Sequence, residues 1–142
     1  MTSTKRSKLV RLQDTNKTIA ATDSDIRGRQ VLDKDGNNLG KVDALLIDEQ
    51  EEKVRFFEVA TGGFLGMGKN KSLIPVDAIT HIDDKDVHLN LLTDTVAGSP
   101  PYDPELVEDS AFFQDTYGYY GFSPYWGMGY VYPPYPYYTD RH

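Results

Sequence analysis

The sequence predicts an all-β fold, a small six-stranded β-barrel with a short C-terminal helix and a low-complexity aromatic tail. Three observations carry that prediction. Between residues 29 and 92, β-branched and aromatic residues alternate in short runs, the pattern of strands with one face turned to a core. Clusters that favour turns, such as Asp35-Gly36-Asn37-Asn38 and Glu49 to Glu52, separate the runs. A length of 142 residues suits one domain with one core.

Strands are expected near residues 29–33, 40–48, 53–61, 71–75, 78–83 and 86–92. Asp35 to Asn38 supplies residues that tolerate positive φ, and Glu49 to Glu52 makes a polar reversal, so neighbouring strands are expected to pair as meander hairpins. Ahead of them, residues 1–22 form a basic arm in which Leu9-Val10-Arg11-Leu12 has the apolar character to add an edge strand or clasp. The barrel is placed at 23–95, and a linker with the short helix at 96–116. Asp103 suits an N-cap, Pro104 the first turn, and Glu105, Glu108 and Asp109 the positive end of a helix running to about Gln114. Leu106, Phe112 and Phe113 are available to dock it.

From Tyr117 to Tyr138 there are eleven aromatics in twenty-two residues and no charge. Ordering such a segment costs more backbone entropy than its own rings can recover by burying one another. The tail, 117–142, is therefore expected to be disordered unless the barrel, another copy or a different surface covers it. Tyrosine and tryptophan offer large contact area with few torsions to freeze, which makes the tail a candidate contact arm.

Charge is distributed unevenly. The arm carries about +4 and residues 23–110 about −10, within a total of −7. An acidic barrel repels phosphate backbones, so nucleic acid is not an expected partner and only the arm favours it. There is no cysteine, hence no disulfide, thiolate nucleophile or cysteine zinc site, which fits a reducing compartment. No apolar run approaches the roughly 20 residues of a membrane span, and no signal-peptide core follows the basic start. The expected location is the cytoplasm.

Several motifs resemble ligand sites. Gly63 to Asn70 matches all but the last position of the phosphate-binding loop, but Asn70 replaces the magnesium-binding hydroxyl residue and a strand-like Lys71 to Val76 follows instead of a helix. Its glycines are better read as an arch that lets Phe64, Leu65 and Met67 cap the core or meet a partner. Asp33 to Asn38 begins like a calcium loop, yet its glycine comes at the fourth position and Ala44 occupies the twelfth. A hairpin turn accounts for it better. In a tight hairpin around Asp84-Lys85, His81 faces His88 with Asp83 and Asp86 on the same side. Such a quartet suits zinc or nickel, although histidines on a solvated hairpin face are common without metal. No metal and no cofactor is assigned. No nucleophile, base and orienting residue can be assembled, so the chain is not expected to be an enzyme.

Arg27-Gly28, the Asp35-Gly36 turn, Gly40-Lys41-Val42, Val54-Arg55-Phe56, the Gly62 to Gly68 loop and Leu73-Ile74-Pro75-Val76 together resemble the PRC-barrel family, stand-alone bacterial type. The resemblance covers about residues 9–95 and touches Tyr102-Asp103-Pro104. Members include the cytoplasmic domain of the photosynthetic reaction-centre H subunit and the C-terminal domain of a ribosome maturation factor, both docking modules. The resemblance implies a β-barrel used for protein contact, with no catalytic residue to carry over.

The functional expectation is a non-catalytic scaffold that binds protein partners and associates with itself. Alternation in Val54 to Ala60 puts Val54 and Phe56 on one face and Phe57 and Val59 on the other, leaving apolar groups outside for a dimer seam to cover. Candidate contact residues are Phe57, Val59, Phe64, Leu65, Met67, Tyr119, Tyr120, Tyr125, Trp126 and Tyr135. Alternatives are an RNA-processing or ribosome-assembly accessory, whose arm meets phosphates while tail rings stack on bases, and a photosynthetic reaction-centre accessory.

Overall fold

A computed structural model describes residues 9–11, 26–48, 53–60, 71–100, 110–127 and 129–130. Seven strands are present among them: β1 (Leu9–Arg11), β2 (Gln30–Leu32), β3 (Asn38–Asp48), β4 (Val54–Ala60), β5 (Lys71–Pro75), β6 (Ile79–Ile82) and β7 (Asp86–Leu89). Helix α1 spans Thr93–Ala97 and α2 Ser110–Tyr120. The expected all-β class holds, with each predicted strand in place and Leu9–Arg11 added as a seventh.

The sheet runs β5-β4-β3-β2-β7-β6. Strand β3 is long enough to serve two partners on one edge: β2 pairs with Asn38 to Lys41 and β1 with Leu46 to Asp48, both antiparallel, while β4 takes the other edge. Gly40 permits the close approach of β4, because at φ +134° it adopts a conformation other residues avoid and a Cβ there would overlap the carbonyl of Ala60. One inner core draws on strands from both ends of this path, with Ile74 of β5 and Ile79 and Ile82 of β6 joining Leu45, Phe57, Val59 and Val87. The sheet therefore curls around a single apolar interior.

Two features depart from a simple closed meander. The β2–β7 pairing is parallel, and β5 and β6 are not hydrogen-bonded neighbours in the described sheet. The second follows from the first. Following the pairings round the sheet, β5 and β6 run in the same sense, so a bonded seam between them would be parallel. Parallel neighbours need a crossover of a dozen or more residues, whereas only the 3-10 turn Val76–Ala78 separates these two. Side chains close this side of the barrel: Val76 and Ala78 are buried in the inner core.

The turn read as a false calcium loop spends its carboxylate internally. Asp33 Oδ1 accepts the amide N–H groups of Asp35 (2.9 Å) and Asn37 (2.7 Å), and Gly36 takes φ +89°. Its Oδ2 accepts the Thr93 amide (3.1 Å) and hydroxyl (2.6 Å). Helix α1 has no side-chain cap of its own at Leu92, so Asp33, sixty residues away in sequence, satisfies its first turn. Burial alone would raise this carboxyl, but donation from Thr93, Asn37 and Asp35 outweighs burial and holds it at about 2. A folded value below the unfolded 3.8 means the stabilisation is complete above that pH and disappears as pH falls towards 2. Asp33→Ala is expected to lose about 1–3 kcal/mol at neutral pH. In urea unfolding the gap from wild type should narrow between pH 4 and pH 2.

Candidate functional site

Two irregularities in the β3–β4 ladder decide what lies outside the barrel. Leu46 pairs with Phe56 but Ile47 with Val54, leaving Arg55 as an extra residue on β4; likewise Asp43 is extra on β3. A bulge shifts the inward and outward alternation by one. Val54 therefore joins Phe57 and Val59 in the inner core, and Phe56 lies outside with Leu46 and Leu73. The expected grouping of Val54 with Phe56 fails at this bulge.

The outer apolar face is covered by the chain itself. Phe113 and Tyr117 of α2 and Leu9 of β1 pack on Leu46, Phe56 and Leu73, and Phe112, Phe122, Tyr125 and Trp126 close the margin. Phe56 meets Tyr117 at 4.7 Å and Phe113 at 5.3 Å between ring centroids. Tyr117 meets Trp126 edge-on at 5.8 Å. Phe113, Tyr117 and Tyr120 follow the i, i+4, i+7 spacing of one helical face, and all three are buried. The helix ends in a Schellman turn: Gly121 has φ +84° and Phe122 N–H donates to the Tyr117 carbonyl at 2.9 Å. It thus continues past the expected end near Gln114, because the sheet supplies the surface that the aromatic segment lacks by itself.

Beneath this aromatic apron lies a charged group. Arg55 Nε donates to Asp48 Oδ2 at 2.8 Å, with their side chains 5% and 1% exposed. Tyr125 lies over the guanidinium at 4.4 Å and Tyr130 at 6.0 Å, so the tail rings shield this cation from solvent. Tyr130 Oη donates to Asp77 Oδ2 at 2.9 Å. Burial pushes the Asp77 carboxyl up against the opposing influence of Tyr130 and Arg55, and burial also pushes the Tyr117 and Tyr130 phenols up.

The β6–β7 hairpin carries the histidines. His81 pairs with His88 and Ile82 with Val87, the register expected from sequence. His88 Nε2 is 3.2 Å and His81 Nε2 3.9 Å from Asp83 Oδ2, and the imidazole centroids are 5.2 Å apart. Asp86 is not part of this cluster. Its backbone amide instead donates to Asp83 Oδ1 at 2.7 Å.

A scan against known protein families matches the PRC-barrel domain over residues 20–96. The chain belongs to the PRC-barrel family. No curated protein matches it. Among the described residues no helix is long and apolar enough to cross a membrane.

Placed on this PRC barrel, the candidate contact residues separate into groups. Phe57 and Val59 are fully buried in the inner core, a correction that follows from their facing the interior of the curled sheet. Tyr120 is also largely buried, being on the docked side of α2. Tyr119 is 42% exposed, and its hydroxyl donates to the Thr95 carbonyl of α1 at 2.6 Å. Tyr125 and Trp126 are partly exposed. Phe64, Leu65, Met67 and Tyr135 lie outside the described residues. Sequence reasoning anticipated Phe113 as a docking residue but missed Arg55, Asp48 and Tyr117; the signals were an arginine inside an apolar strand and aromatic helical spacing ending at Gly121.

The two buried charges near the apron have opposite consequences. Arg55→Ala removes the ion-pair partner of buried Asp48 and is expected to cost about 3–5 kcal/mol. The raised Asp77 carboxyl contributes stability below its unfolded value of 3.8, lost as pH rises through its folded value. Asp77→Asn, which retains an acceptor for Tyr130, should therefore match or exceed wild type in thermal midpoint at pH 7.

Proposed function

We propose that the chain is a non-catalytic protein-contact module, and that it associates with itself through the aromatic apron that α2, residues 122–127 and Tyr130 lay over the barrel. The observation that carries this reading is a half-exposed aromatic margin on a buried base. Tyr119, Tyr125 and Trp126 retain accessible ring area, while Phe113 and Tyr117 beneath them are packed on the sheet. Rings held by their neighbours lose little further freedom on contact, which lowers the cost of docking. Tyrosine and tryptophan are also the residues most enriched at contact hot spots. The dimer seam anticipated over β4 has no role in this reading, because α2 occupies that face. Membership of a family of generic interaction modules agrees with contact and assigns no chemistry.

Sedimentation velocity of wild type and the Tyr119→Ser, Trp126→Ser double variant tests the proposal, with circular dichroism to verify the fold. Wild type should show a sedimentation coefficient that rises with concentration, and the variant a constant monomeric one. A monomeric wild type across a wide concentration range removes self-association. Equal association of both proteins removes the apron as its surface.

A further inference from the structure

His81, Asp83 and His88 on the β6–β7 hairpin are not among the residues on which the contact reading rests. We propose that His81, Asp83 and His88 form a binding site for a divalent transition-metal cation of the zinc type.

One ligand atom from each of the three residues lies within 4.8 Å of the other two. Ligands bonded to zinc at about 2.0–2.2 Å in tetrahedral geometry stand roughly 3.4 Å apart. The His88–Asp83 pair, at 3.2 Å, already has that spacing, and His81–Asp83, at 3.9 Å, is close to it. All three side chains are substantially accessible, at 47%, 43% and 34% for His81, Asp83 and His88. Small side-chain rotations therefore complete the set without moving the backbone.

The carboxylate is held in place for this role. Asp83 Oδ1 accepts the amide N–H groups of Lys85 (3.0 Å) and Asp86 (2.7 Å), which leaves Oδ2 to the two imidazoles. The hairpin beneath is fixed by Asp83 N–H donating to the Asp86 carbonyl at 3.0 Å and by Arg29 Nη1 donating to the Asp83 carbonyl at 3.0 Å. Outer interactions of this kind orient metal ligands and commonly alter affinity 10–100-fold. Asp84 and Asp86 add negative charge near the site, opposed by Lys85 and Arg29. Two imidazoles with one carboxylate favour zinc, cobalt or nickel over magnesium or calcium, which prefer all-oxygen shells. Three protein ligands leave the fourth tetrahedral position open to solvent.

Isothermal titration of the full chain with Zn2+ tests the site, alongside His81→Ala, His88→Ala and the control His142→Ala. One equivalent should bind to wild type and to His142→Ala with the same affinity. Each hairpin variant should bind about tenfold or more weakly. Co2+ should give visible ligand-field absorption in wild type that disappears in His88→Ala, and Mg2+ should not compete. The exposed positions leave the core intact, so unchanged far-UV circular dichroism accompanies the expected result. Equal zinc affinity of wild type and both hairpin variants, or loss of binding in His142→Ala alone, overturns the assignment.

Discussion

A β-sheet that is apolar on both faces has to be covered twice, and the rest of this structure follows from how that is done. Strands β3, β4 and β5 each carry adjacent large apolar residues that face opposite ways: Leu45 and Leu46, Phe57 and Phe56, Ile74 and Leu73. Curling the sheet buries one of each pair. The other set, worth roughly 1.5–3 kcal/mol per side chain when withdrawn from water, requires a second layer. Helix α2 is that layer, and its Phe113 and Tyr117 sit where the outer face is most apolar.

Covering the outer face with rings brings charge under cover as well. The β4 bulge places Arg55 beside Phe56, and its guanidinium is accommodated because Asp48 neutralises it and Tyr125 stacks over it. The bulge thus links barrel and tail electrostatically as well as by packing. The histidine hairpin takes its geometry from β6, β7 and the contact with β2.

The strands were legible because each is short, bounded by turn residues and rich in β-branched or aromatic side chains. The His81–His88 register was equally legible, since a tight turn around Asp84-Lys85 admits few alternatives. What escaped was non-local. Nothing near Asp33 in sequence announces that it caps α1 through Thr93. The parallel β2–β7 pairing joins strands far apart in sequence, and the faces of β4 depend on which residue bulges. The aromatic segment misled by composition: repeated Tyr and Gly suggested a tail from Tyr117, whereas the spacing of Phe113, Tyr117 and Tyr120 with Gly121 marks a docked helix and its stop. For the described part of that segment, the barrel provides the covering surface.

A double-mutant cycle on Phe56→Ala and Tyr117→Ala, read by urea unfolding of the full chain, tests most directly whether α2 forms the second layer. Rings 4.7 Å apart should give a coupling energy of about 0.5–1.5 kcal/mol. Losses that add to within about 0.3 kcal/mol would show that the helix does not rest on the sheet, and would contradict the account.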